Sequence, residues 1–114
     1  MTTIYHNPRC GTSRTVLQTL QERGIQAEVI EYLQTPLSRS ELASLIKDAG
    51  LSVREAIRSK EAVFQELKLD APSVTDEQLL DAMVQHPILM NRPFVVTDKG
   101  TRLCRPATIV EEIL

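Results

Sequence analysis

Tryptophan is absent from the chain, and its aromatic residues are only Tyr5, Tyr32, Phe64 and Phe94. Four rings are too few for a base-stacking surface. A net charge of −2 leaves no basic footprint for a nucleic acid. No apolar run approaches the roughly 20 residues that cross a bilayer, and the N-terminus lacks the pattern of a signal peptide. A soluble, cytoplasmic protein with no membrane and no nucleic-acid partner is therefore expected. Cysteine is almost as scarce: Cys10 and Cys104 are the only two. In a reducing compartment a permanent disulfide between them is not expected. Two lone cysteines and two distant histidines, His6 and His86, lack metal-ligand spacing, so no metal site is expected. There is no Gly-rich phosphate loop, no internal repeat and no Gly/Ser-rich linker. At 114 residues and 42% hydrophobic, the chain should form a single domain over 1–114 with its own core.

The elements can be placed from periodicity and caps. Ile4-Tyr5 reads as a first strand, and Thr15–Leu20 has helical spacing and ends at Gly24. Ala27–Tyr32 is β-rich and reads as a second strand. A β-α-β unit implies two parallel strands joined by a right-handed crossover. Ser38-Arg39-Ser40-Glu41 and Ser52-Val53-Arg54-Glu55 have the form of capping boxes. The first opens a helix to Gly50, the second a short helix to about Arg58. Glu61 to Leu67 reads as a further helical segment. Thr75-Asp76-Glu77-Gln78 caps a helix carrying Leu79, Leu80, Met83 and Val84 that stops before Pro87. Phe94–Thr97, a turn at Asp98-Lys99-Gly100, and Thr101–Arg105 read as a hairpin. Pro106 suits the N1 position of a last helix ending near Leu114. The order is β-α-β, a helical block over about 38–86, then β-β-α. This is an α/β, thioredoxin-like layout with a helical insertion and a mixed four-stranded sheet.

Chemistry concentrates where the first strand turns into the first helix. Cys10 stands there in Asn7-Pro8-Arg9-Cys10-Gly11-Thr12-Ser13, a polar turn and not an apolar face. Unpaired N–H groups and the positive end of the helix dipole converge at such a point. They lower a thiol pKa from about 8.5 into roughly the 3.5–7.5 range and attract anions. A dithiol site would carry its second cysteine three residues on, and that position is Ser13. The site is therefore a single-thiol one, and Ser13 could donate a hydrogen bond to the thiolate or simply sit in the first helical turn. His6 is either an imidazolium favouring the thiolate or a hydrogen-bonded structural histidine; His86 reads as a helix-end cap. Arg58, Arg92 and Arg105 each lie near the end of an element, and guanidinium groups bind oxyanions bidentately. Spacing does not separate these three from the other arginines. In thioredoxin-like folds the proline before the third strand is cis and lies beside the nucleophilic sulfur, so Pro93 is expected to be cis. Alternation along the last strand turns Cys104 away from the face that carries Arg105, so Cys104 reads as packing.

Three segments carry a family resemblance that spans essentially the whole chain. Tyr5–Arg14, His86–Pro93 (His-Pro-Ile-Leu-Met-Asn-Arg-Pro) and Gly100–Pro106 (Gly-Thr-Arg-Leu-Cys-Arg-Pro) resemble, in order, three motifs of the glutaredoxin-dependent arsenate reductases. The resemblance implies Cys10 as the catalytic cysteine, Arg58, Arg92 and Arg105 as oxyanion-binding residues, and His6 and Ser13 as residues that tune the thiolate. It implies arsenate as substrate, no bound cofactor, glutathione as reducing co-substrate and glutaredoxin as protein partner. The sequence stops at Leu114, short of the C-terminal tail that studied members of this family carry. The same superfamily contains transcription regulators that bind RNA polymerase and commonly carry a Cys-x-x-Cys switch; Ser13 argues against that type. The alternative is a redox regulator or adaptor glutathionylated at Cys10 without arsenate turnover.

Overall fold

The computed structural model describes residues 1–114. By its internal packing the chain falls into two compact units, one formed by Met1–Thr35 with Arg92–Leu114 and one by Pro36–Asn91. The second unit contains the helical block expected over about 38–86.

The first unit holds the sheet. Strand β1 (Thr2–His6) leads through the Cys10 turn into helix α1 (Gly11–Glu22), and β2 (Ala27–Glu31) follows. Gly24, at φ +68°, turns the chain out of α1; this left-handed conformation is one that glycine adopts without Cβ strain. Strands β3 (Phe94–Thr97) and β4 (Gly100–Leu103) form a hairpin. The sheet order is β2-β1-β3-β4, with β1 parallel to β2 and antiparallel to β3. The register places Ile4 opposite Val29 on one side and Val95 on the other. The mixed four-stranded sheet is thus the expected one. Thr97 pairs with Gly100, leaving Asp98-Lys99 as a two-residue turn, and Gly100 sits at φ +148°. The core of this unit is Ile4, Val16, Leu20, Val95, Cys104, Val110 and Ile113, all buried. Burying one such large aliphatic side chain contributes about 1.5–3 kcal/mol.

Two expectations fail at the C-terminal end. Strand β4 ends at Leu103, so Cys104 and Arg105 lie beyond the ladder and not in it. Arg105–Pro106 is a cis peptide bond. The last segment, Ala107–Ile113, is a 3-10 coil and not an α-helix, with Pro106 at the N-cap and not at N1. Ile109 N–H donates to the Pro106 carbonyl at 3.1 Å, three residues back. In a 3-10 coil residues three apart line up, and Ala107, Val110 and Ile113 are the positions packed on the core.

The second unit is built from α2 (Arg39–Asp48), α3 (Val53–Ala56), α4 (Ala62–Glu66) and α5 (Asp76–Gln85), followed by a 3-10 turn at Pro87–Leu89. Both expected capping boxes form, at Ser38/Glu41 and Ser52/Glu55, and the cap expected at Thr75 is a third box with Gln78. Arg39 ion-pairs with Glu77 and Asp81, linking α2 to α5. Helix α3 is shorter than expected. Ile57 is extended and forms an isolated bridge to Met90, so Arg58 stands past the helix end. Its N–H donates to the Leu89 carbonyl at 2.7 Å. His86 is the C-cap of α5 through its backbone N–H, which donates to the Ala82 carbonyl. No helix is long and apolar enough to cross a membrane.

Candidate active site

Cys10 is the N-cap residue of α1, with extended backbone at φ −91° and ψ 121°. Its carbonyl begins the helix by accepting the Arg14 N–H at 3.0 Å. Its side chain makes no capping bond. Arg105 Nη1 donates to Cys10 Sγ at 3.5 Å. The same Nη1 donates to the Arg92 carbonyl at 3.1 Å, which fixes the guanidinium over the sulfur. Arg92 is itself buried, and the Arg92–Pro93 peptide is cis.

These contacts decide the state of the thiol. Burial pushes the Cys10 pKa up. The Ser13 backbone N–H, the Arg105 hydrogen bond and the charges of Arg105 and Arg92 pull it down and outweigh burial, so the thiol lies below the usual cysteine range. Cys10 is half-buried and free. Cys104 is fully buried in the core, and burial pushes its thiol up to about 12. Its own Sγ donates weakly to the Arg102 carbonyl at 3.7 Å.

Ser13 acts differently from the sequence expectation. Its backbone N–H lowers the Cys10 thiol, while its hydroxyl is taken up by other partners. The hydroxyl is 2.6 Å from His6 Nδ1 and accepts the Asn7 N–H at 3.1 Å. Burial, with a smaller push from Arg14, carries the His6 pKa below its ordinary value despite the opposing charge of Glu31. The shift disfavours the imidazolium, and the ring stands as a buried, hydrogen-bonded histidine. Of the three arginines singled out, Arg92 and Arg105 lie at Cys10. Arg58 belongs to the second unit, where its Nε pairs with Glu61 Oε1 at 3.2 Å. No group of three or more His, Cys, Asp or Glu side chains is arranged to hold a metal ion.

Sequence reasoning passed over Asn7. It is 2% exposed, and its side chain and backbone both bond within the Cys10 turn. The signal was present as Asn-Pro, which favours positions i and i+1 of a turn.

The arrangement is a lowered thiol at a helix N-terminus, under the Arg105 guanidinium and within reach of the Arg92 charge. It can attack an electrophilic centre while holding the oxygens of a tetrahedral anion. Comparison with known proteins agrees with this chemistry. The chain is 59% identical over 112 residues to an arsenate reductase of Rhizobium meliloti (strain 1021), covering 98% of this chain and 80% of that protein. It is 54% identical over 112 residues to an arsenate reductase of Escherichia coli, covering 98% and 79%. A solved structure described as arsenate reductase from Vibrio cholerae superposes with a TM-score of 0.95 at 43% identity, over 99% of this chain and 97% of that one. The family model described as ArsC family matches residues 5–113, and the chain belongs to that family.

Proposed function

We propose that this chain is an arsenate reductase that forms a thiolate–arsenic adduct on Cys10 and is recycled by glutathione and glutaredoxin. The observation that carries the proposal is Arg105 Nη1 on Cys10 Sγ at the N-cap of α1. Identity of 59% to an arsenate reductase over nearly the whole chain supports the substrate. Arsenate binds with its oxygens toward the α1 N-terminus and the guanidinium groups of Arg92 and Arg105; the family resemblance gives Arg58 the same oxyanion role. The Cys10 thiolate attacks arsenic(V). A sulfur–arsenic bond forms, and one arsenate oxygen leaves, protonated to water. The arginines stabilise the negative charge that develops on the remaining oxygens.

Reduction follows from a second thiol. Glutathione attacks the Cys10 sulfur, a disulfide forms, and the sulfur–arsenic electron pair stays on arsenic, which departs as arsenite. A glutaredoxin thiol then takes the glutathione by exchange and returns the Cys10 thiolate. Ser13 occupies the position of a local second thiol, and Cys104 is enclosed in the core. Both facts favour an external reductant. Free Cys10 and Cys104 and the use of glutathione fit a cytoplasmic enzyme.

The test is arsenate-dependent NADPH oxidation in the presence of glutathione, glutathione reductase and glutaredoxin. Wild-type protein should turn over and Cys10→Ser should not, because a serine hydroxyl at neutral pH needs a general base to attack. No turnover by the wild type would reject the proposal in favour of a regulator or adaptor that merely carries glutathione on Cys10.

A further inference from the structure

The turn that carries Cys10 is held chiefly by one residue, with Arg14 Nη1 donating to the Pro8 carbonyl at 3.0 Å besides. The Asn7 carbonyl accepts the Cys10 N–H at 3.0 Å. Its side-chain Oδ1 accepts the Arg9 N–H at 2.9 Å. Its backbone N–H donates to Ser13 Oγ at 3.1 Å, tying the turn to the first helical turn of α1. The residue between, Pro8, has its φ fixed by its ring. Pro8, Arg9 and Cys10 are thus each restrained, two of them directly by Asn7.

The Asn7 carboxamide is itself anchored. Its Nδ2 donates to the Tyr32 hydroxyl at 3.3 Å. Tyr32 follows β2 directly and is 0% exposed. A buried carboxamide cannot exchange these partners for water, and leaving either end unpaired carries the full desolvation cost of that group. Rotation of the Asn7 side chain is therefore closed off, and with it the motion of the Arg9 amide.

We propose that Asn7, anchored by Tyr32, is the positioning residue of the Cys10 site: its carboxamide fixes the turn that presents the sulfur to Arg105 at the start of α1. The proposal rests on the reading of Cys10 as nucleophile. Loosening the turn takes the sulfur off Arg105 Nη1, the contact that favours the thiolate. Arg92 and Arg105 are untouched, so the affinity for the oxyanion is largely kept.

The experiment compares Asn7→Ala, Tyr32→Phe and the double variant, all in a Cys104→Ser background. Three quantities are read: Cys10 titration by thiolate absorbance, the rate of Cys10 alkylation by iodoacetamide at pH 7, and kcat with KM for arsenate. Asn7→Ala should raise the Cys10 pKa, slow alkylation, and lower kcat by roughly 10- to 100-fold with little change in KM, the scale of a misplacement of about 1 Å. Tyr32→Phe should do the same to a smaller degree. The double variant should be no worse than Asn7→Ala, because the two residues act in one chain of contacts. Alkylation and titration need no arsenate, so they test Asn7 even if the protein reduces another substrate. If Asn7→Ala lowers the melting temperature but keeps the wild-type titration and alkylation rate, Asn7 is only a structural residue and the proposal is overturned. If Asn7→Ala does not fold, the Tyr32→Phe titration decides: a raised pKa supports the proposal and an unchanged one overturns it.

Discussion

Burial raises the pKa of Cys10 and Cys104 alike, because an apolar surrounding disfavours the thiolate. Only Cys10 has opposing partners strong enough to reverse it, namely the Ser13 N–H, Arg105 and Arg92. For Cys10 the folded pKa is below that of a free cysteine, so in that window the native chain has already lost a proton the unfolded chain still holds. Stability then rises with pH up to about 8.5 and is lost as pH falls through the folded pKa. The kcat/KM profile for arsenate should accordingly reach its plateau before about pH 8.5, the free-thiol reference. A rise centred at or above that value would remove the activation by Arg105 and the helix N-terminus. Cys104 has the opposite sign. Between about 8.5 for the unfolded thiol and about 12 for the folded one, the unfolded chain has lost a proton that the native chain keeps. Stability contributed by Cys104 therefore falls as pH rises above about 8.5. Denaturant titrations at several alkaline pH values should show a shallower decline for Cys104→Ser than for wild type; parallel declines would contradict the buried-thiol account. Arg92→Lys keeps the charge and loses the planar fork. It should cost roughly 10- to 1000-fold in kcat/KM, comparable to removing an oxyanion donor. Near wild-type kinetics in that variant would show that Arg92 contributes charge alone.

The elements differ in how openly the sequence announces them. The three capping boxes were legible because each is a local reciprocal bond pair, Ser or Thr at the N-cap with Glu or Gln three residues on. The structure forms all three, for example Gln78 N–H on Thr75 Oγ1 at 3.2 Å with Thr75 N–H on Gln78 Oε1 at 2.9 Å. Thr75→Ala should destabilise the protein by about 1 kcal/mol in denaturant unfolding, and leave the Cys10 titration unchanged, since α5 lies in the other unit. A negligible loss would mean that α5 is held by packing alone. Sequence pattern also gave the hairpin and the Cys10 strand-to-helix turn. It was less informative where tertiary context decides. Helix α3 stops at Ala56 because Ile57 is drawn into a bridge with Met90, a partner 33 positions away and invisible to local pattern. The last segment was misread as α-helix, although Ala107, Val110 and Ile113 carry a period of three that matches the 3-10 coil. At the site, Cys10 was legible from its position. For Ser13 the sequence leaves two roles open, because it does not show that the hydroxyl is taken up by His6 and the Asn7 N–H. His6 has two roles open in the sequence, because its burial and its Ser13 contact are visible only in the fold.

At the scale of the whole molecule, the topology assigns the two thiols to different tasks. The central strand β1 delivers Cys10 to the N-cap of α1, while the hairpin β3–β4 delivers Arg105 over the sulfur and, one residue earlier, Cys104 into the core. Cys104 N–H donates to the Pro93 carbonyl at 2.8 Å, which fixes that residue beside the third strand. For Cys104 to resolve Cys10, the core formed with Ile4, Val16, Leu20 and Val95 would have to open. The Cα atoms would also have to come within about 7 Å of each other. Truncation in that core is costly in its own right: Leu20→Ala should lose about 2–5 kcal/mol in denaturant unfolding, and a loss near zero would mean that the core is not where burial places it. The proposed mechanism therefore uses one half-buried nucleophile, Cys10, and an external reductant. Its most direct test is intact mass and peptide mapping of wild-type protein quenched during arsenate turnover with glutathione but without glutaredoxin. Glutathione on Cys10 and an unmodified Cys104 are expected. Accumulation of a Cys10–Cys104 disulfide would contradict that mechanism.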